Sequence, residues 1–339
     1  MLTDPHGRNV SYLRLSITDR CNLRCLYCRP EEWVFIPHED ILTFEEMIEL
    51  AQAAQSAGVE KLRLTGGEPF VRKGFLSFVE RLHTTCPGLD LRITTNGTLL
   101  ADRVRALTGA GVNRVNISLD TLSREKFRTI TGVDGYGRVR AAIEACLAGG
   151  IRVKLNVVAV KGVNDDELPE FVDFARTHDL DVRFIEFMPI GRHSRWNRDN
   201  YWPAEEILAA VKRLVELDAE ARTSRNGGPA RMYRIAGSGG RIGVISAVSN
   251  HFCATCNRFR VTSDGKLRAC LFSDAETDLR AVLRDPGHTE DDLLALFRKA
   301  GRDKPLGYEL LRARGKNAVC GRVMTAIAPK QQGKIKCHV

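Results

Sequence analysis

No apolar run in this 339-residue sequence approaches the ~20 residues needed to cross a bilayer. The opening Met-Leu-Thr-Asp-Pro-His-Gly-Arg also lacks the apolar stretch of a secretory signal. Heptads, short fixed-period repeats and low-complexity tracts are missing too, which argues against a coiled coil or a solenoid. Acidic residues are in deficit: 42 Asp+Glu stand against 51 Lys+Arg, a formal net charge of +9. Such a balance suits nucleic acid or a phosphorylated small molecule, and equally a plain solvated basic surface. The most informative shortage is a fourth cysteine in each of two cysteine groups.

What is present is ordinary globular stuff, with 43% hydrophobic and 27% charged residues, enough for a sizeable core. Ten cysteines without an export signal point to a reducing cytoplasm and to metal binding rather than disulfides. Three of them, Cys21, Cys25 and Cys28, follow the spacing C-x3-C-x2-C. Electron-transfer clusters are usually closed by four cysteines. A cube held by three leaves one iron open, and an open position is where a metal acts on a bound molecule. A zinc knuckle or thiols buried for packing are the alternatives.

The first two-thirds alternates β-rich and amphipathic helical stretches. Strands are expected at 12–17, 61–64, 91–94, 114–118, 152–160 and 182–187, with Val, Ile and Leu contents that suit burial on both faces. Thr43 and Glu46 form a capping box for a helix stopped at Gly58, and further helices are expected at 75–85, 103–110, 137–148, 167–178 and 204–214. Consecutive β-then-α units predict a parallel sheet with right-handed crossovers. Six such units are too few for a closed eight-unit barrel, so the expected fold is α/β, a partial (β/α)6 TIM-like barrel; an open doubly wound sheet fits the same periodicity. Residues 1–220 would form the barrel domain, and 221–339 an irregular C-terminal cluster-binding region with a basic tail.

Chemistry in parallel barrels gathers at the C-terminal strand ends. There the sequence places Thr65-Gly66-Gly67-Glu68-Pro69, Thr94-Thr95-Asn96-Gly97, Asn116-Ile117-Ser118-Leu119-Asp120 and, after the sixth strand, Met188. Paired glycines permit close backbone approach, and hydroxyls and amides can bond a ribose or base. The same residues also serve caps, turns and, for Met188, core filling. The second group, Cys253-x2-Cys256 with Cys270, again holds three thiols. It fits a second incomplete cluster, or a Cys3His zinc site completed by His251. Arg258 and Arg260 follow at i and i+2, so an extended segment points both guanidinium forks to one side, as phosphate recognition needs.

The first cysteine motif with Gly66-Gly67-Glu68-Pro69 resembles the radical S-adenosylmethionine (SAM) superfamily. With Leu13-Arg14-Leu15-Ser16-Ile17-Thr18-Asp19-Arg20-Cys21, Cys253-Ala254-Thr255-Cys256-Asn257-Arg258-Phe259-Arg260 and Cys270-Leu271-Phe272, nearly the whole chain resembles the GTP 3′,8-cyclases, which open molybdenum cofactor biosynthesis. The resemblance implies two 4Fe-4S clusters, SAM as cofactor and GTP as substrate. A 5′-deoxyadenosyl radical would take hydrogen from ribose C3′, and the sugar radical would attack guanine C8, giving 3′,8-cyclo-7,8-dihydro-GTP. Cys21, Cys25 and Cys28 would hold the first cluster, and Cys253, Cys256 and Cys270 the second. SAM would be contacted by Tyr27, Gly67, Ser118 and Met188, and GTP by Arg14, Arg63, Thr94, Lys154, Arg258 and Arg260. An electron donor such as flavodoxin or ferredoxin is implied, and no membrane or nucleic-acid partner; a homodimer stays open. The family's terminal Gly-Gly is absent, since Met324-Thr325-Ala326-Ile327 continues as Ala328-Pro329-Lys330, which leads us to expect weak or altered cyclisation. Two other readings stay open: a radical SAM peptide maturase, and a zinc-stabilised nucleic-acid-binding protein. Cys86, Cys146, Cys320 and Cys337 are expected to be packing or incidental residues.

Overall fold

The computed structural model describes residues 2–28, 34–190, 195–220 and 228–313. The tail from 314 onward, with Cys320, Cys337 and the Ala328-Pro329 departure, lies outside them. Six parallel strands form the centre: β1 (Tyr12–Ser16), β2 (Lys61–Thr65), β3 (Asp90–Thr95), β4 (Arg114–Ser118), β5 (Arg152–Ala159) and β6 (Asp181–Glu186). They pair in sequence order, so each crossover returns to the next neighbour. All six were expected from the sequence to within a residue or two.

Helices α1 (Phe44–Ser56), α2 (Phe75–Thr85), α3 (Val104–Gly109), α4 (Arg124–Thr131), α5 (Tyr136–Ala148) and α6 (Leu168–Thr177) fill the crossovers. The capping box at α1 forms as read: Glu46 N–H donates to Thr43 Oγ1 at 3.1 Å, and Thr43 N–H to the Glu46 carboxylate at 2.6 Å. Two expected starts move inward because short 3-10 turns, Ala101–Arg103 and Asp165–Glu167, precede α3 and α6. Helix α4 was not anticipated. Its boundaries are nonetheless marked in the sequence by Ser123, which accepts from Lys126 N–H, and by Gly132 at φ 68°.

These strands are covered on both faces, as expected, but only one of the two faces is apolar. One face carries Leu13, Leu15, Leu62, Leu64, Ile93, Ile117, Leu155 and Val182, each essentially solvent-free. The other face, at alternate positions, carries Tyr12, Arg14, Lys61, Arg63, Arg92, Thr94, Asn116, Lys154, Asn156 and Arg183. The apolar face packs under the helices, and the polar one lines an interior. That interior is curled rather than flat. Arg183 on β6 feels the charges of Arg63 and Tyr12 on β2 and β1, although five strand spacings of a flat sheet would part them by about 24 Å.

The C-terminal part is less irregular than expected. After α7 (Ala204–Leu214), strands β7 (Leu217–Ala219), β8 (Arg231–Ile235) and β9 (Arg241–Ile245) extend the sheet beyond β6, with β9 parallel to it. On the opposite flank β10 (Arg258–Val261) lies parallel to β1, followed outward by β11 (Lys266–Arg268) and β12 (Thr277–Asp278). The result is one continuous 12-stranded sheet, a partial barrel that does not close. Helices α8 (Arg280–Leu283), α9 (Glu290–Arg302) and α10 (Gly307–Ala313) complete the described chain. Among the described residues no helix is long and apolar enough to cross a membrane.

Candidate functional site

β1 runs directly into the first cysteine loop. Cys28 N–H closes a turn on Cys25 O at 3.0 Å, while Arg24 and Leu26 donate backbone N–H to Thr131 O and Ile130 O at the end of α4, at 2.8 and 3.0 Å. Leu23 N–H and the Asn96 amide donate to Cys21 Sγ at 3.4 and 3.7 Å. Burial pushes the Cys25 thiol well up, and the neighbouring thiols of Cys28 and Cys21, with Asp120, push the same way. Three sulfurs and a carboxyl therefore share a small space, where ionised thiols call for a neighbouring positive charge. A 4Fe-4S cluster supplies that positive charge, so the residues present fit the group.

Gly66 and Gly67 hold this loop. A Cβ on Gly66 would lie 2.5 Å from Thr18 O, and one on Gly67 2.2 Å from Arg20 O. Gly67 N–H donates to Thr18 O at 2.7 Å and Glu68 N–H to Arg20 O at 2.8 Å. The close approach read from the paired glycines is thus made first to the chain's own cysteine loop. Glu68, fully buried, accepts from Phe70 N–H, Thr95 Oγ1 and Asn96 N–H at 3.1, 2.8 and 2.7 Å, binding the ends of β2 and β3 together. Sequence reading gave Glu68 no role of its own; burial pushes its carboxyl up to about 7, against those donors.

Tyr27 donates to Asp120 just past β4, and Asp120 accepts Val158 N–H at 2.8 Å. Ser118 ends β4 opposite Asn156. The Tyr27 ring meets Phe187 edge-on with centroids 6.1 Å apart. The next residue, Met188, packs into a small apolar cluster built on Ile190 and Phe272 that also receives Cys270. The segment leaving β6 therefore touches the neighbourhoods of both cysteine trios. Met188 has the packing role as well as its place near the site.

The second trio flanks the N-terminal end of β10. Cys253, Cys256 and Cys270 carry free thiols, and their charges are mutually coupled. Burial raises the Cys256 thiol, but Arg258 and Lys304 more than reverse this and leave it at about 6. Cys253 is raised by burial, less so because Tyr308 and Gly307 aim N–H groups at it. Three thiols close enough to feel one another, one of them held in its thiolate range by Arg258 and Lys304, fit a thiolate-ligated cluster. A Cβ on Gly307 would come within 2.8 Å of Cys270 Sγ, so α10 starts in contact with the trio. His251 spends Nδ1 on Ala247 O at 2.9 Å and stacks on Tyr308.

Two buried cations that sequence reading missed brace this group. Arg8 donates to Cys253 O at 2.8 Å and to Lys304 O and Pro305 O, both at 3.1 Å. Lys304 donates in turn to Arg258 O at 2.8 Å and to Ala269 O, beside Cys270. The backbone of every cysteine segment is thus tied to one cation pair. No sequence motif announces it.

Arg14, Arg63, Thr94, Lys154, Arg258 and Arg260 all fall on the interior face. Register sets Arg260 beside Arg14 and Arg14 beside Arg63; Arg63 donates to Thr94 Oγ1 at 3.2 Å, Thr94 neighbours Asn116, and Asn116 neighbours Lys154. One band of donors crosses the curled sheet. Lys61, Arg183 and Tyr12 join it; the alternation Tyr12-x-Arg14, Lys61-x-Arg63, Asp181-x-Arg183 was their signal in the sequence. Burial, then crowding by Arg63 and Arg258, lowers Arg14 to about 10, and Arg260 falls well below its usual range. Burial would raise the Tyr12 phenol, yet Arg63, Arg14 and Arg258 bring it down to about 7. Like charges packed this closely are relieved by a polyanion.

Residues 15–175 match the family model of the radical SAM superfamily, and residues 180–310 that of Molybdenum Cofactor Synthesis C. The chain is 45% identical to the GTP 3′,8-cyclase of Heliobacterium modesticaldum and to that of Moorella thermoacetica, covering 91% of this chain and 95% of each relative. Among solved structures, Streptococcus suis SuiB bound to S-adenosylmethionine superposes with a TM-score of 0.58 at 16% identity, over 86% of this chain and 68% of SuiB, a likeness of fold. A trio-bearing loop on β1, a partial barrel and relatives this similar over nearly the full length lead to one assignment: the chain belongs to the GTP 3′,8-cyclase family of radical SAM enzymes.

Proposed function

We propose that the protein is a lyase converting GTP to 3′,8-cyclo-7,8-dihydro-GTP, the first step of molybdopterin synthesis. The observation that carries this reading is the band of buried cations on the same interior as both cysteine trios, since that pairing suits a substrate with phosphates and a ring to be held near metal. When bound, the first cluster with SAM supplies the radical that removes hydrogen from ribose C3′, and the second cluster anchors the guanine.

The chain's own residues do the rest. Cys21, Cys25 and Cys28 hold the first cluster, kept in place by Gly66, Gly67 and the α4 carbonyls. Tyr27, Gly67, Ser118 and Met188 contact SAM. Cys253, Cys256 and Cys270 hold the second cluster, braced by Arg8 and Lys304. Arg258 and Arg260, on the strand that leaves Cys256, reach from that cluster toward the phosphates, and Arg14, Arg63, Thr94 and Lys154 complete the anion cradle. Residues 1–220 and 221–339 then form two units by role, one for each cluster, sharing a sheet. An external carrier such as a flavodoxin or ferredoxin, in the cytoplasm, delivers the electron.

Anaerobic reconstitution with iron and sulfide, then SAM, reductant and GTP, tests the reading. The expected result is a brown protein that forms the cyclic nucleotide. Cys21→Ala should stop SAM cleavage, whereas Cys256→Ala should impair GTP turnover and spare SAM cleavage. A colourless zinc protein, or SAM cleavage without any GTP-derived product, overturns it.

A further inference from the structure

Within β1 to β6 the interior face carries two carboxylates, Asp90 and Asp181. Asp90 serves Arg92 on its own strand, at 3.0 Å from Nε. Asp181 is different. Its side chain is 4% exposed and meets three cations from three strands. Oδ1 takes Arg241 of β9 at 2.6 Å from Nη2 and 2.7 Å from Nε, and Arg241 is held from behind by Glu220 at 3.3 Å. Oδ2 is left for Lys154 at 3.0 Å and Arg183 at 3.5 Å.

One carboxylate cannot neutralise three cations, and Arg241 has its own second partner. The surplus sits on Lys154 and Arg183, both facing the interior. Arg183 Nε is buried without a hydrogen-bond partner, and its guanidinium touches Asp181 through one nitrogen at the limit of bonding distance. Donors remain available on both cations, drawn to a common point by the same oxygen.

We propose that Asp181 is a positioning residue for the substrate's phosphates, converging Lys154 and Arg183 from adjacent strands so that their remaining N–H groups meet one anionic group. This rests on the reading that the interior binds GTP. Asp181 itself touches no phosphate; like charge forbids it. Its second effect is to keep Lys154 protonated. Burial and Arg183 bring Lys154 down to about 8, with Arg241 acting the same way and Asp181 opposing them; Asn116, its β4 neighbour, does not titrate. Lys154 therefore loses its charge as pH rises through about 8, and without Asp181 that loss moves to lower pH.

The experiment measures GTP affinity and KM on the enzyme carrying both clusters, from pH 6.5 to 9, alongside SAM cleavage without GTP. Asp181→Asn should weaken GTP binding roughly tenfold near pH 8 and only a few-fold near pH 6.5, with kcat and GTP-free SAM cleavage little changed. Asp181→Glu keeps the charge and displaces it by one methylene. It should weaken binding at every pH while holding the wild-type pH midpoint, and it answers the question if the amide variant folds poorly. Lys154→Met separates the two ideas. If it leaves GTP affinity unchanged, the interior is not the nucleotide site. If it weakens binding while both Asp181 variants bind as wild type across the pH range, Asp181 has no positioning role. A uniform loss in Asp181→Asn with no pH-dependence also overturns it, because a merely structural ion pair would behave so.

Discussion

Replacing Gly67 by Ala is the sharpest test of how the first cysteine loop is built. The added Cβ would lie 2.2 Å from Arg20 O, 2.5 Å from Arg20 C and 2.9 Å from Asp19 O, all backbone atoms. Relieving the closest contact requires the strands to part by about 1 Å, since carbon and oxygen pack near 3.3 Å. That shift strains the 2.7 Å bond from Gly67 N–H to Thr18 O and the 2.8 Å bond from Glu68 N–H to Arg20 O. Overpacking of this kind and two weakened bonds together cost about 2–4 kcal/mol. Arg20 adjoins Cys21, so the first sulfur moves with the loop, and a 1 Å misplacement at a reacting centre costs on the order of 100-fold in rate. The assay is SAM cleavage per iron bound, with thermal unfolding and GTP binding as references. Expected are a lower unfolding temperature, reduced iron at the first trio, slowed SAM cleavage and intact GTP binding. Were Gly67 only a SAM contact, the variant would keep its iron and its stability and show a raised KM for SAM alone; that result refutes the loop account. Gly137→Ala, where nothing lies within 4 Å of the new Cβ, should instead stabilise the protein, by about 0.5 kcal/mol.

Other outcomes follow from features described above. Lys304→Met leaves the buried carbonyls of Arg258 and Ala269 without their donor, costs about 2–4 kcal/mol, and should lower bound iron by half while SAM cleavage without GTP persists; full iron content would show that the brace is dispensable. Tyr12 should titrate near 7, read as phenolate absorbance missing in Tyr12→Phe. Because its folded value lies below the usual 10, the stability it contributes is complete above about 10 and disappears as pH falls through 7; equal pH dependence of unfolding in wild type and Tyr12→Phe would contradict this. Bound GTP, by neutralising the arginines, should move the Tyr12 titration upward.

The central sheet was readable because its strands are short runs rich in Leu, Val and Ile that alternate with helices of recognisable ends, as at Thr43 and Gly58. The cysteine loops were readable as spacing. What escaped notice was the second meaning of the same strands: Lys61-x-Arg63 and Asp181-x-Arg183 alternate with period two, a sign of one polar face that their high Val, Ile and Leu content concealed. The strands after 216 were hidden for another reason. β10 and β11 are only four and three residues long, and β9 lies in a Gly-rich stretch outside the β-then-α alternation; β10 and β9 are strands because β1 and β6 offer edges to pair with. Arg8 acts on a backbone carbonyl 245 residues away and Lys304 on one 46 residues away, and such contacts leave no local pattern at all.

The pairing of β1 with β10 has a consequence for how the protein comes into being. Asn257 bonds Ser11 across 246 residues of sequence, and the strands they introduce are neighbours. On the ribosome, β1 and its iron-binding loop emerge first and their outer partner nearly last, so β1 stays a bare edge through most of synthesis. Only when β10 docks does Arg260 arrive beside Arg14, which places the crowding of like charges at the final step of assembly. Nucleotide present at that moment would favour completion by mass action, making the substrate an aid to its own enzyme's maturation.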